Sequence, residues 1–184
     1  IQHRLAFGVL FQNSALFDDM TVFENVAFPL REHTQKTEAE IQERVERSLS
    51  MLGMPRGPSG YDQYPSELSG GMRKRVGLAR AIIREPRILL YDEPTTGLDP
   101  ITRNTVDELI ETLKRKLQLT SIVISHDIPS ALRLADSIAF LYQGKVVFRG
   151  GPEEFKECPH PIVQDFLSAA RRSQGGIAIR RPLN

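Results

Sequence analysis

Short, unbroken apolar runs along this chain alternate with longer stretches in which apolar residues recur every three or four positions. Leu5–Phe11, Ile88–Tyr91 and Ser121–Ile124 are too short for helices and are largely apolar at successive positions, as strands covered on both faces are. Between the first two runs, Thr21-x-x-Glu24 and Thr37-x-x-Glu40 have the form of capping boxes. The first opens a helix carrying Val22, Phe23 and Val26, which Pro29 is expected to end or kink. The second precedes Ile41, Val45, Leu49 and Leu52 on one helical face, with Gly53 as a stop. A loop rich in proline and glycine, 54–65, leads to a helix from Ser69 to about Arg84. Asp99 and Pro100 form an N-cap and first-turn pair for a helix aligning Val106, Leu109, Ile110, Leu113 and Leu117.

The last third reads as smaller pieces. Ile128, Ala131, Leu132 and Ala135 make a short amphipathic helix, and Ile138–Tyr142 and Lys145–Phe148 flank Gln143-Gly144 as a hairpin. Pro152 and Pro161 each open a helix, the second burying Ile162, Val163, Phe166, Leu167 and Ala170. From Arg171 a tail with two arginine pairs, Gly175-Gly176 and Pro182 is expected to be mobile. The whole is an α/β pattern of parallel, buried strands.

Composition narrows the classes. The 184 residues, 40% of them hydrophobic, suffice for one well-cored domain. With 24 basic and 23 acidic residues there is no broad field for nucleic acid or acidic lipid. The basic triplet Lys114-Arg115-Lys116 reads as a solvated face near a helix C-terminus. One cysteine, Cys158, forbids an internal disulfide and fits a reducing compartment. Apolar runs stop well short of the roughly 18 residues a membrane span needs, so a soluble segment that reaches a membrane through a partner is expected.

The chemistry concentrates between Leu68 and Asp99. Ser69 followed by Gly70 and Gly71 places a hydroxyl and two unobstructed backbone N–H groups at a helix start, an arrangement that suits a phosphate. Taken alone, the tripeptide reads sooner as an ordinary capped turn. Asp92 and Glu93 end the strand Ile88–Tyr91, and successive strand residues face opposite ways. One acid is thereby able to hold a metal while the other polarises a water, the division of labour of magnesium-dependent phosphoryl transfer. Asp-Glu-Pro alone also reads as a solvated strand end. His126 follows the strand Ser121–Ile124, where an imidazole can contact a terminal phosphate or an attacking water.

Together these motifs resemble those of the ATP-binding-cassette (ABC) ATPases. Leu68-Ser69-Gly70-Gly71-Met72 is similar to the signature motif, Leu90-Tyr91-Asp92-Glu93-Pro94 to the Walker B strand and Gly97-Leu98-Asp99 to the D-loop. Gln12 resembles the Q-loop glutamine and Ser125-His126-Asp127 the switch-histidine loop. The resemblance covers Gln12 to about Gly150. It implies a P-loop NTPase-like (RecA-like), mostly parallel sheet with an inserted helical subdomain at 13–83, core strands and helices at 84–150, C-terminal helices at 151–170 and the tail at 171–184.

It also implies ATP and Mg2+ as ligands, with Gln12 and Asp92 on the metal. Ser69, Gly70 and Gly71 cap a nucleotide held by a second ATPase subunit in a head-to-tail dimer. Glu93 polarises water, His126 stabilises the closed state and Asp99 couples the two sites. The Gly-x4-Gly-Lys-Ser/Thr phosphate loop of such cassettes does not occur here; the sole Gly-Lys is Gly144-Lys145, with Ala139 and Val146 at the flanking positions. The expectation is a partial cassette lacking its N-terminal strands and Walker A region, with open apolar sheet edges and no ATP hydrolysis by the segment alone.

Met72 in the signature, Leu16–Val26, Pro29–Thr34 and Asp99-Pro100-Ile101-Thr102 resemble the ATPases of Mla-type, MCE-protein-associated transporters. That resemblance implies phospholipid transport between bacterial membranes, a transmembrane permease and an MCE-type lipid-binding protein as partners, no nucleic acid, and a peripheral place on the cytoplasmic face of the inner membrane. An importer ATPase for a small polar solute and a non-transport cassette are the alternatives. Phe17, Met20 and Phe23, beside Gln12, read either as subdomain core or as part of a groove for the permease.

Overall fold

The computed structural model describes residues 6–174. They fall into two compact units that divide between Ser125 and His126.

In the first unit, three parallel strands, β1 (Phe7–Leu10), β2 (Ile88–Asp92) and β3 (Thr120–Ile124), lie in the order β1-β2-β3. Leu10 stands opposite Tyr91, and Tyr91 opposite Val123. Between β1 and β2 come α1 (Val22–His33), α2 (Glu38–Met51) and α3 (Gly70–Ile82), and α4 (Pro100–Leu117) joins β2 to β3. Both expected capping boxes form: Thr21 caps α1 with Glu24 reaching back, and Thr37 caps α2 with Glu40. Gly53, at a φ of 69°, follows the end of α2 in the left-handed conformation that glycine tolerates.

Val22, Val26 and Leu30 of α1, Ile41, Val45 and Leu49 of α2 and Val76, Leu78 and Ala79 of α3 are almost completely buried. Fully burying such aliphatic side chains contributes roughly 1.5–3 kcal/mol each, which holds the three helices together. Helix α3 also covers one face of the sheet. There Gly8 lies against the main chain of α3, its missing Cβ leaving room for the Ala81 carbonyl, beside buried Leu10, Leu89 and Tyr91.

Two expectations are corrected. Pro29, expected to end or kink α1, does not end it: the helix runs through the proline to His33. The helix loses the bond that the Pro29 nitrogen cannot donate, but Leu30 beyond it is buried, and tertiary packing outweighs the local defect. The strands are not covered on both faces either. Strand alternation puts Phe7, Phe11, Ile122 and Ile124 on the face away from α3, and they remain 42%, 49%, 49% and 59% exposed. An apolar run signals what a strand can bury against, not whether the layer that buries it is present.

The second unit contains α5 (Ile128–Leu134), the antiparallel hairpin β4 (Ile138–Tyr142) with β5 (Lys145–Gly150), α6 (Pro152–Glu157) and α7 (Pro161–Gln174). Gln143 and Gly144 both adopt positive φ, 48° and 75°, the signature of a type I′ turn that matches strand twist. The core comprises Ile128, Phe155, Cys158, Val163 and Leu167, with Phe140 packed on Phe155 and Phe166 at ring-centre distances of 5.8 and 5.0 Å. Helix α7 continues four residues into the stretch expected to be a mobile tail; residues 175–184 lie outside the described residues.

Candidate functional site

The C-terminal ends of β1 and β2 lie side by side, so the residues leaving them meet. Strand β2 stops at Asp92, and Glu93 turns into the left-handed region with a φ of 47°, which a residue with a side chain adopts only when its surroundings impose it. Its N–H donates to the Ile124 carbonyl at 2.9 Å, pinning it to the end of β3. Its Oε2 accepts from the Thr96 hydroxyl at 2.9 Å. The two acids were expected to diverge through strand alternation; it is the backbone turn at Glu93, beyond the strand's last residue, that re-aims the second one.

Gln12 is exposed just after β1, and its carbonyl accepts from the ammonium of Lys74 on α3. Lys74 also donates to the Glu93 carbonyl at 3.4 Å and is 4% exposed. Burial pushes its ammonium below the usual lysine value, and the charges of Asp92 and Glu93 pull it partly back. On the covered sheet face, burial pushes the Tyr91 phenol up to about 12, opposed in part by Ser121.

The other end of α3 makes a second cluster. Ser69 caps the helix, its Oγ accepting from the Met72 N–H at 3.3 Å, and it is exposed. The N–H groups of Gly70 and Gly71, the first two helical residues, come too early in α3 for an intrahelical carbonyl, which leaves the tip suited to an anion. Gly70 and Gly71 serve packing as well: a Cβ on Gly70 would come 3.2 Å from Leu98, and one on Gly71 2.8 Å from Thr102. The segment after β2 is therefore laid against the signature turn. Asp99 caps α4, Oδ1 accepting from the N–H groups of Ile101 and Thr102 at 3.0 Å and Oδ2 from the Thr102 hydroxyl. The Thr102 hydroxyl, then its N–H, hold the Asp99 carboxyl below the usual range.

The first unit thus brings Gln12, Asp92 and Glu93 together around Lys74, and Ser69, Gly70 and Gly71 beside Leu98 and Thr102. His126 opens the second unit and is exposed, and Asp127 caps α5 by accepting from the Ser130 N–H at 3.2 Å. Five residues after Gln12, Phe17 is 39% exposed, packs on Phe28 at 4.9 Å and lies under the Arg80 guanidinium at 5.5 Å. Lys74, Thr96 and Asn25 stand outside the site motifs and are revealed by the fold. Lys74 had a signal: it stands in phase with buried Leu78 and Ala81, where a charge is out of place.

The profile of the ABC transporter family matches residues 2–96. The chain belongs to the ABC transporter family. MlaF of Escherichia coli, an intermembrane phospholipid transport system ATP-binding protein, is 42% identical over 97% of this chain and 65% of its own length. The probable ribonucleotide transport ATP-binding protein mkl of Mycobacterium tuberculosis is 41% identical over 91% of this chain and 46% of its own. The chain thus spans about half to two-thirds of these relatives. Among solved structures, CbiO1 of Clostridium perfringens, part of the transporter complex CbiONQ, superposes with a TM-score of 0.76 at 29% identity, over 94% of this chain and 68% of that one. The ATP-binding cassette MJ0796, in a dimeric post-hydrolysis state with ADP and phosphate, gives 0.69 at 30% identity over 79% and 62%. The α/β fold with its parallel sheet is therefore that of the P-loop NTPase-like cassettes, as expected. No helix among the described residues is long and apolar enough to cross a membrane.

Proposed function

We propose that this chain is part of the ATP-hydrolysing subunit of an ABC transporter that moves phospholipid between bacterial membranes. The observation that carries the reading is the 42% identity to MlaF along nearly the whole chain, through both clusters of the site. ATP is the substrate, bound between this subunit and a second copy arranged head to tail; that MJ0796 is dimeric supports a pair of subunits.

Glu93, held by Thr96 and by the end of β3, orients the attacking water and takes up its proton. Ser69 and the N–H groups of Gly70 and Gly71 cap the terminal phosphate of the nucleotide bound to the opposite copy. His126 steadies the closed dimer, and Asp99, through α4, couples the two sites. Gln12 and Asp92 fit magnesium by their chemistry: both offer oxygen donors, and they stand at the ends of neighbouring strands. When bound, the ion neutralises charge developing on the phosphates. The segment that begins at Gln12 and includes the exposed Phe17 is the surface proposed to meet a transmembrane permease, with the subunit on the cytoplasmic face of the inner membrane and an MCE-type protein as further partner.

Transport of a small polar solute is the second reading, favoured by the similarity to mkl, a probable ribonucleotide transport ATP-binding protein. The test is purification of the tagged subunit from its own cells, followed by reconstitution. Copurification of a permease and an MCE protein, with ATP-dependent transfer of labelled phospholipid, is expected. ATP-dependent ribonucleotide uptake without lipid transfer would overturn the first reading in favour of the second.

A further inference from the structure

We propose that Lys74 is the positioning residue that sets the distance between Gln12 and Glu93, and so ties the signature helix to the hydrolytic site. The inference rests on the ATPase reading above and goes beyond it by assigning a role to a residue outside the motifs.

A lysine that is 4% exposed is an expensive way to fill a helix–sheet boundary. Methionine would span a similar length without giving up a hydration shell. What the lysine adds is a donor with three hydrogens, and two of its acceptors are the main-chain carbonyls of Gln12 and Glu93. Those carbonyls leave two different strands, β1 and β2; the Glu93 N–H pins its segment to the end of β3, and the ammonium ties that segment to the one leaving β1. Asp92 and Glu93 supply the negative charge that makes a buried cation tolerable.

The same helix grips the segment after β1 at two further points. Gly77 lies against it, so that a Cβ there would come 3.0 Å from Ser14 Cβ and 2.8 Å from Leu10. Arg80 donates to the Ser14 carbonyl at 2.6 Å. Lys74, Gly77 and Arg80 are spaced three apart, which puts all three along one stripe of α3. Ser69 caps the same helix five residues before Lys74. A displacement of the Ser69 tip by a nucleotide is thereby carried along α3 to the carbonyls of Gln12 and Glu93 together, not to either alone.

A residue acting this way alters the chemical step and the metal requirement while leaving nucleotide binding intact. The experiment compares Lys74→Met, Lys74→Gln and Lys74→Arg with wild type in the reconstituted transporter, with Glu93→Gln alongside. It measures kcat, the KM for ATP, the magnesium concentration for half-maximal rate and the unfolding temperature. Lys74→Met and Lys74→Gln are expected to lower kcat roughly ten-fold, the loss of hydrogen bonds from a charged donor. The KM should stay within about two-fold and the magnesium requirement rise, and Lys74→Arg should recover part of kcat. The glutamine variant, which keeps a polar donor on a shorter stem, carries the comparison if the methionine variant does not fold. A kcat near wild type in either variant, a rise in KM alone, or an arginine variant no better than methionine overturns the role. If Glu93→Gln itself hydrolyses normally, the failure lies with the ATPase reading; if it is inactive and the Lys74 variants are normal, it lies with Lys74.

Discussion

Thr96 donates its hydroxyl to the Oε2 of Glu93 at 2.9 Å, three residues along a turn whose first residue has left-handed backbone. The contact fixes a carboxylate that the strand itself no longer aligns. Thr96→Val, which keeps the shape and removes the hydroxyl, should lower kcat by roughly three- to ten-fold, the worth of one hydrogen bond, with ATP affinity unchanged. Thr96→Ser should restore most of the rate. Steady-state kinetics on the transporter complex, with nucleotide binding measured separately, checks both.

Asn25 of α1 is fully buried, and its amide closes the loop before it. Its Oδ1 accepts from the Phe17 N–H at 2.8 Å, and its Nδ2 donates to the carbonyls of Phe17, Met20 and Thr21 at 3.0, 3.1 and 3.0 Å. Asn25→Ala strands several main-chain groups at once, so the stability of the fold should fall by about 2 kcal/mol or more. Denaturant unfolding measures this. The loop carrying Phe17 should become the first segment to exchange its amide hydrogens.

Ser69 has two duties that a single substitution can separate. Ser69→Asp preserves the N-cap of α3, since aspartate caps as well as serine, but places a negative charge where a triphosphate would sit. The unfolding temperature should hold while ATP-driven turnover falls by roughly a hundred-fold. Ser69→Ala should lose about 1 kcal/mol of stability as well.

The capping box of α1 gives acid sensitivity a direction. The main-chain N–H and hydroxyl of Thr21 hold the Glu24 carboxyl below the usual carboxylate range. Its contribution is therefore complete above the unfolded value near about 4.3 and is lost as pH falls through the lowered native value. Glu24→Gln should flatten the stability profile below about pH 4.3, visible as a smaller acid-induced drop in unfolding temperature.

Much of this was legible in the residues. Capping boxes at Thr21 and Thr37, the Ser69 and Asp99 caps and the Gln143-Gly144 turn act through neighbours at most three positions away, so their pattern survives in one dimension. What failed depends on distant layers. Pro29 sits inside α1 because Leu30 is anchored by other helices, and Ile122 and Ile124 stay exposed because an apolar run cannot specify its cover. The turn at Glu93 was hidden too, since its left-handed backbone is imposed by the end of β3, some thirty positions along the chain.

The most direct test of the ATPase account is Glu93→Gln in the reconstituted transporter. The amide keeps the size and the Thr96 contact but cannot take a proton from water. ATP should still bind with wild-type affinity while its hydrolysis falls by about a hundred-fold or more. Turnover at the wild-type rate would contradict the account.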